Sequence, residues 1–253
     1  MKRFLFAGVA LLALTGANAA RAADLPPGVI YPAAVAPRFT FTGFYVGGTV
    51  GGAQGSSKYL ETPGTGFGAA APGVAAVGTS SASPRGVIGG LEAGYNWQID
   101  HFVLGIEGDF SGWDMSANSG VSGAGLLPAA TVSSTATVNS NWLFTARPRV
   151  GFANGNMLTY LTGGLAVTNF KFSEAITGTT GPTLGGSFSN TEVGWVAGAG
   201  VEYALSWNWF IKGEYLYTSF SNQNAAQTGP GFAGTATANL SASIVRAGFD
   251  YRF

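Results

Sequence analysis

From Phe41 onward the chain alternates apolar and polar side chains with period two, which predicts β-strands rather than helices. The first segment puts Phe44, Val46, Gly48 and Val50 on one face and Tyr45, Gly47, Thr49 and Gly51 on the other. The second sets Val87, Leu91, Ala93, Tyr95 and Trp97 against Glu92, Asn96 and Gln98, and the third sets Phe102, Leu104, Ile106 and Phe110 against Glu107, Asp109 and Ser111. The fourth sets Trp142, Phe144, Val150 and Phe152 against Arg147 and Arg149. The fifth, roughly Met157 to Phe172, has the least clear phase. The sixth sets Val193, Trp195, Ala197, Ala199, Val201 and Tyr203 against Glu192 and Glu202. The seventh sets Trp209, Ile211, Tyr215 and Tyr217 against Lys212 and Glu214, and the eighth sets Val245, Ala247, Phe249, Tyr251 and Phe253 against Arg246, Asp250 and Arg252.

The charges decide which face points where. In every segment they are read on the face opposite the aromatics. That face gathers Glu92, Glu107, Asp109, Glu192, Glu202, Glu214 and Asp250 with Arg147, Arg149, Lys171, Lys212, Arg246 and Arg252; the opposite face is assigned none. A soluble ligand-binding barrel turns its apolar face inward. This pattern is inverted, as a barrel in lipid requires, because a charge at mid-bilayer costs a few kcal/mol. The expected fold is all-β: an eight-stranded, antiparallel, up-and-down transmembrane β-barrel.

The connections alternate in length. About Gln54–Pro84, Met115–Val138, Ser173–Asn190 and Ser221–Asn239 read as long, Gly/Ala/Ser/Thr-rich loops. Ile99–His101, Ala153–Asn156 and Leu205–Asn208 read as tight turns. Short periplasmic turns and long outer loops are the outer-membrane pattern, and an even strand count returns both termini to the periplasm. Trp97, Trp209, Tyr251 and Phe253 are placed at the interfacial girdle. Pro148, between two arginines, removes one ladder hydrogen bond and is expected near a rim or a bulge. Inner-face glycines are expected to make room for large neighbours.

The N-terminus adds an address. Lys2 and Arg3 precede an apolar run, Phe4–Leu14, that is too short to span a bilayer as a helix, and small residues follow it. Residues 1–22 read as a signal peptide cleaved after Ala22, with Ala19 as the alternative. Residues 23–40 read as a proline-rich periplasmic leader, and residues 41–253 as the barrel.

Composition narrows the chemistry. Only 9% of residues are charged and the net charge is zero, which excludes nucleic acid as a partner. Zero cysteines and one histidine remove thiolate, disulfide and paired-imidazole sites. His101 lies beside Asp100 in a periplasmic turn, the wrong end for a hydrolase acting on outer-leaflet lipid. No catalytic, cofactor or metal site is expected.

Several stretches then resemble a known group. Ala23-Asp24-Leu25-Pro26-Pro27, Phe41-Thr42-Gly43-Phe44-Tyr45-Val46-Gly47-Gly48, Gly194-Trp195, Gly198 to Leu205, Lys212 to Tyr217 and the ending Val245 to Phe253 look like the outer-membrane immunogenic, opacity-like porin group of small alphaproteobacterial β-barrels. Pro148 departs from it, standing where members often have a small residue between the arginines. The resemblance implies envelope integrity, surface antigenicity, and in some members pore activity or host contact. Implied partners are outer-membrane lipid and lipopolysaccharide, the assembly machinery, and in some members a host surface or small solutes. Val245, Ala247, Phe249, Tyr251 and Phe253 resemble the C-terminal signal read by that machinery. The inward charges are read as a salt-bridged plug, with a narrow pore lining and loop-mediated adhesion as the competing readings.

Overall fold

The computed structural model describes residues 39–64, 75, 80–124, 131–178, 184–229 and 232–253. The expected signal peptide, and the leader up to Arg38, lie outside the described residues. The strands are β1 (Gly43–Pro63), β2 (Ser80–Ala82), β3 (Arg85–Ile99), β4 (Phe102–Ala124), β5 (Thr131–Asn154), β6 (Met157–Gly178), β7 (Leu184–Ala204), β8 (Trp209–Gly229) and β9 (Phe232–Arg252). Each pairs antiparallel with the next, except that β2 is a short flap on β1, so β1 pairs directly with β3. β9 returns to β1 from Tyr45↔Arg252 to Pro63↔Gly234, which closes eight strands into a barrel with no free edge.

The registers fix its shape. Stepping from Val46 to Ala93, Gly108, Ala146, Leu165, Trp195, Ser219 and Ser241 returns to β1 at Ser56, ten residues further on. A shear of ten over eight strands tilts them by roughly 40° and leaves an interior just wide enough for side chains to fill.

β3, β4 and β7–β9 follow the predicted phases, and β6 resolves. Leu158, Tyr160, Ala166, Thr168, Phe170 and Phe172 point in and are buried; Leu161 and Leu165 point out. Lys171 therefore leaves the inward set, because it is exposed on the outer phase of β6. The outer face is not free of charge: Lys58, Arg85, Asp114 and Lys171 lie on it, all near the end with the long hairpins. Between them and the turn end the described outer face carries no charge. Its rims are aromatic: Phe44–Phe253, Trp209–Tyr251 and Phe102–Phe152 at the turn end, Phe110–Trp142 and Trp195–Tyr217 toward the other.

Among the described residues the four long connections are mostly strand. β4 runs to Ala124 and β5 starts at Thr131; β8 runs to Gly229 and β9 starts at Phe232. Strands of 21–24 residues are about twice what crosses a bilayer. The Ser/Thr/Gly/Ala stretches stay paired because each extends a ladder already in register. The short turns stand as predicted, with Asp100 (φ 52°) and Gly155 (φ 59°) in the left-handed region that tight hairpins require. Pro148 is at neither a rim nor the β5 bulge. It faces outward beside Arg147, the β5–β6 ladder is interrupted at these two residues, and Thr162 donates to the Pro148 carbonyl at 3.0 Å.

Candidate functional site

The interior is stacked in three layers. At the turn end Phe41, Val103, Ala153, Leu158, Tyr160, Ala204 and Phe210 form an apolar cluster. Phe41 enters it from the segment before β1, its N–H donating to Gln98 Oε1 at 2.6 Å. Arg252 fastens this segment: its guanidinium donates to the Thr40 and Trp207 carbonyls and stacks on Phe39 and Phe210. At the hairpin end Ile88, Trp113, Leu143, Val196, Leu216 and Ile244 belong to a larger apolar cluster, with Phe170, Phe172 and Phe220 above. Its polar members are satisfied, Trp113 Nε1 donating to Ser140 Oγ at 2.8 Å and Ser140 bonding Thr168 at 2.8 Å. The expectation that aromatics and charges take opposite faces fails here. A lipid-facing barrel with a narrow lumen needs large apolar side chains on both faces, so aromatic character does not label the outer one.

Between the clusters lies the ionic layer. Arg147, fully buried, donates to Glu107, to Asp109 at 3.1 Å and to Glu214 at 3.1 Å. Arg149 donates to Glu202 at 2.5 Å, Glu107 at 3.2 Å and Asn96 at 2.8 Å, its guanidinium held between the rings of Tyr45 and Tyr160. Lys212 pairs with Glu92 at 2.5 Å and donates to Glu107 at 3.1 Å. Arg246 donates to Glu214 at 2.7 Å and Asp109 at 3.0 Å. Tyr45 donates to Glu107 at 2.6 Å, Tyr160 to Glu214 at 3.0 Å, and Thr145 to Asp109. β4 and β8 stand opposite each other in the barrel, so the Lys212–Glu107 pair crosses the full lumen. Glycines make the space. A Cβ on Gly94 would stand 2.2 Å from the Tyr45 hydroxyl, and one on Gly200 2.4 Å from that of Tyr160.

Of the twelve charges read from the sequence as a network, Glu92, Glu107, Asp109, Arg147, Arg149, Glu202, Lys212, Glu214 and Arg246 are joined by ion pairs. Three stand apart. Glu192 is buried opposite Thr168, at the level of the larger apolar cluster. Arg252 serves the turn-end cluster. Asp250 is buried and makes no ion pair among the described residues, and its Oδ1 lacks a hydrogen-bond partner. Counting it, the layer holds six carboxyl groups against four cations. Asp250→Asn is therefore expected to leave urea stability unchanged or raise it, since it removes surplus negative charge without breaking a pair. Sequence reasoning missed Tyr45, Tyr160, Asn96 and Thr145 as members of the network. Tyr45, on the inward face beside Gly47, was the available signal.

The site is a packed polar core. His101 is exposed in its turn, stacked on Phe152, with Nδ1 3.0 Å from the Ala153 carbonyl. No group of His, Cys, Asp and Glu suited to a metal ion occurs among the described residues.

Comparison with known proteins agrees with this architecture. Residues 9–253 match the outer membrane protein beta-barrel domain. The chain is 33% identical over 255 residues to the 31 kDa outer-membrane immunogenic protein of Brucella melitensis biotype 1, covering 100% of both chains. It is 30% identical over 256 residues to the 25 kDa outer-membrane immunogenic protein of Brucella canis, covering 100% of this chain and 99% of that one. Among solved structures, Neisserial surface protein A is similar at 14% identity and a TM-score of 0.37, over 84% of this chain and 98% of that one.

Proposed function

The chain belongs to the outer membrane protein beta-barrel family and is an outer-membrane protein, and from that premise we propose that it is a structural barrel with a closed lumen. In this reading it contributes to envelope integrity and displays its long hairpins at the cell surface, with termini and short turns in the periplasm. The observation that carries the reading is the ionic layer held between two apolar clusters. A hydrated pore needs a continuous polar path. Here nine of the charges are buried and ion-paired, some of them across the lumen, between the two apolar clusters. Names that call the Brucella relatives immunogenic accord with exposed hairpins.

The decisive test is planar-bilayer recording of the refolded protein. No ion-selective steps above the lipid background are expected. Regular steps of defined selectivity would make it a narrow porin. Orientation is tested separately in intact cells. A cysteine at Ser122, near the tip of the β4–β5 hairpin, should react with an impermeant maleimide, and one at Asn154 should not. The reverse result would invert the topology.

A further inference from the structure

The segment before β1 enters the barrel without joining its ladder. β1 begins at Gly43, and residues 39–42 ahead of it bend into the mouth at the turn end. Three hydrogen bonds among the described residues hold them, and each uses a side chain. Phe41 N–H donates to Gln98 Oε1 at 2.6 Å, the Gln98 N–H donates to Thr42 Oγ1 at 2.9 Å, and Arg252 donates to the Thr40 carbonyl. Phe41 is 1% exposed, with its ring 5.7 Å from that of Phe210, and Phe39 packs edge-on against it at 5.1 Å. Gly43 makes the bend. Its φ of 145° is one that residues with a side chain rarely adopt, and a Cβ there would stand 3.1 Å from Arg252 Cδ. A hinge at Gly43, a latch at Arg252 and a buried ring at Phe41 thus meet at one mouth.

Phe41 stands between this mouth and the ionic layer. A cavity of about 10 Å³, room for one water, is lined by Phe41 and Phe210 of the turn-end cluster and by Tyr45, Asn96, Glu202 and Asp250 of the layer. Without Phe39 and Phe41 the cluster keeps Leu158, Tyr160 and Phe210, but Val103, Ala153 and Ala204 are too short to meet across a lumen that only large side chains fill. The docking is also separable from the fold. The strands are locked in a closed ladder, whereas one ring and a few side-chain bonds can let go locally. We propose that residues 39–42 are a stopper for the turn-end mouth, hinged at Gly43 and latched by Arg252, and that its release admits water and small solutes to Glu202 and Asp250 while the barrel stays folded. The proposal rests on the closed-lumen reading and adds to it which end opens.

The test reads a single thiol in the detergent-refolded barrel, since the chain has no cysteine of its own. Asp250→Cys, which breaks no ion pair among the described residues, places it under the stopper. Ser111→Cys places it on β4 between Asp109 and Trp113, beyond the ionic layer and fully buried. With the stopper intact, both thiols should react slowly with a small water-soluble methanethiosulfonate. Arg252→Gln, Phe41→Ser and Gly43→Ala should each speed the reaction at Asp250→Cys by roughly tenfold or more, as losing a charge-assisted hydrogen bond, a buried ring or a compatible backbone implies. Ser111→Cys should stay slow in all three. Fast reaction at Asp250→Cys alone with the stopper intact, slow reaction there in every stopper variant, or a Ser111→Cys that speeds up in step would each overturn the proposal. Fast reaction at both thiols with the stopper intact would instead sink the closed-lumen reading on which it depends. The heat-dependent shift in gel mobility reports folding of each variant; if Phe41→Ser misfolds, Arg252→Gln, which leaves every ring in place, still decides.

Discussion

Replacing Arg147 with alanine is expected to lower the urea stability of the barrel in lipid vesicles by about 3–5 kcal/mol, the range for removing one partner of a buried ionic pair. The side chain is fully buried and holds three carboxylates: Glu107, Asp109 and Glu214. Each keeps another donor when Arg147 is gone. Glu107 keeps Arg149, Lys212 and Tyr45; Glu214 keeps Arg246 and Tyr160; Asp109 keeps Arg246 and Thr145. The carboxylates are thus not orphaned singly. The layer instead becomes three cations against six carboxyl groups, between apolar clusters that in the closed-lumen reading keep water out. Lys171→Ala, on an exposed side chain, is expected to be silent. If the lumen were hydrated, water would solvate the surplus charge, and Arg147→Ala would alter current while leaving stability nearly unchanged. Unfolding and bilayer recording on the same variant separate the two, and a silent unfolding result with an altered current would sink the closed-lumen reading.

The barrel could be read from the sequence where one face was labelled by charge. Glu92, Glu107, Asp109, Glu202, Lys212, Glu214 and Arg246 fixed the inward phase of their strands because a lipid-facing position cannot hold them. β6 had no such label. Leu158, Tyr160, Phe170 and Phe172 inside alternate with Met157, Leu161 and Leu165 outside, so period-two hydrophobicity carried no phase. Lys171 then misled, since a charge above the apolar belt can face outward at no cost. The hairpin extensions were read as loops for a related reason. Ser, Thr, Gly and Ala there give no sustained apolar alternation, so strand propensity is weak. Their pairing continues ladders that the barrel below has already set.

The pairing inside the lumen was not legible at all, and the reason is geometric. Arg147 meets Glu214 and Lys212 meets Glu107 across the barrel, and the shear decides which residues share a height. Alternation fixes the face of each strand but not the offset between strands far apart in sequence.

Deleting Phe253 is expected to reduce assembly into the outer membrane several-fold while secretion into the periplasm changes little. The side chain is 70% exposed on the outer face, packed against Phe44 and Tyr251, and its N–H donates to the Phe44 carbonyl at 3.0 Å across the seam that closes the barrel. In the folded protein that is a small contribution. One hydrogen bond and one partly covered aromatic ring amount to about 1–3 kcal/mol, and the long β1–β9 ladder remains. A loss of stability of that size in a barrel with no free edge would not by itself deplete the membrane form. Two measurements therefore divide the possibilities: urea unfolding of the refolded truncation, and cell fractionation of the same truncation. A small shift in unfolding with a large loss of membrane-inserted protein means that Val245, Ala247, Phe249, Tyr251 and Phe253 are read as a signal before folding. Proportional losses in both would reduce Phe253 to a seam contact. Normal yield without it would remove the signal altogether.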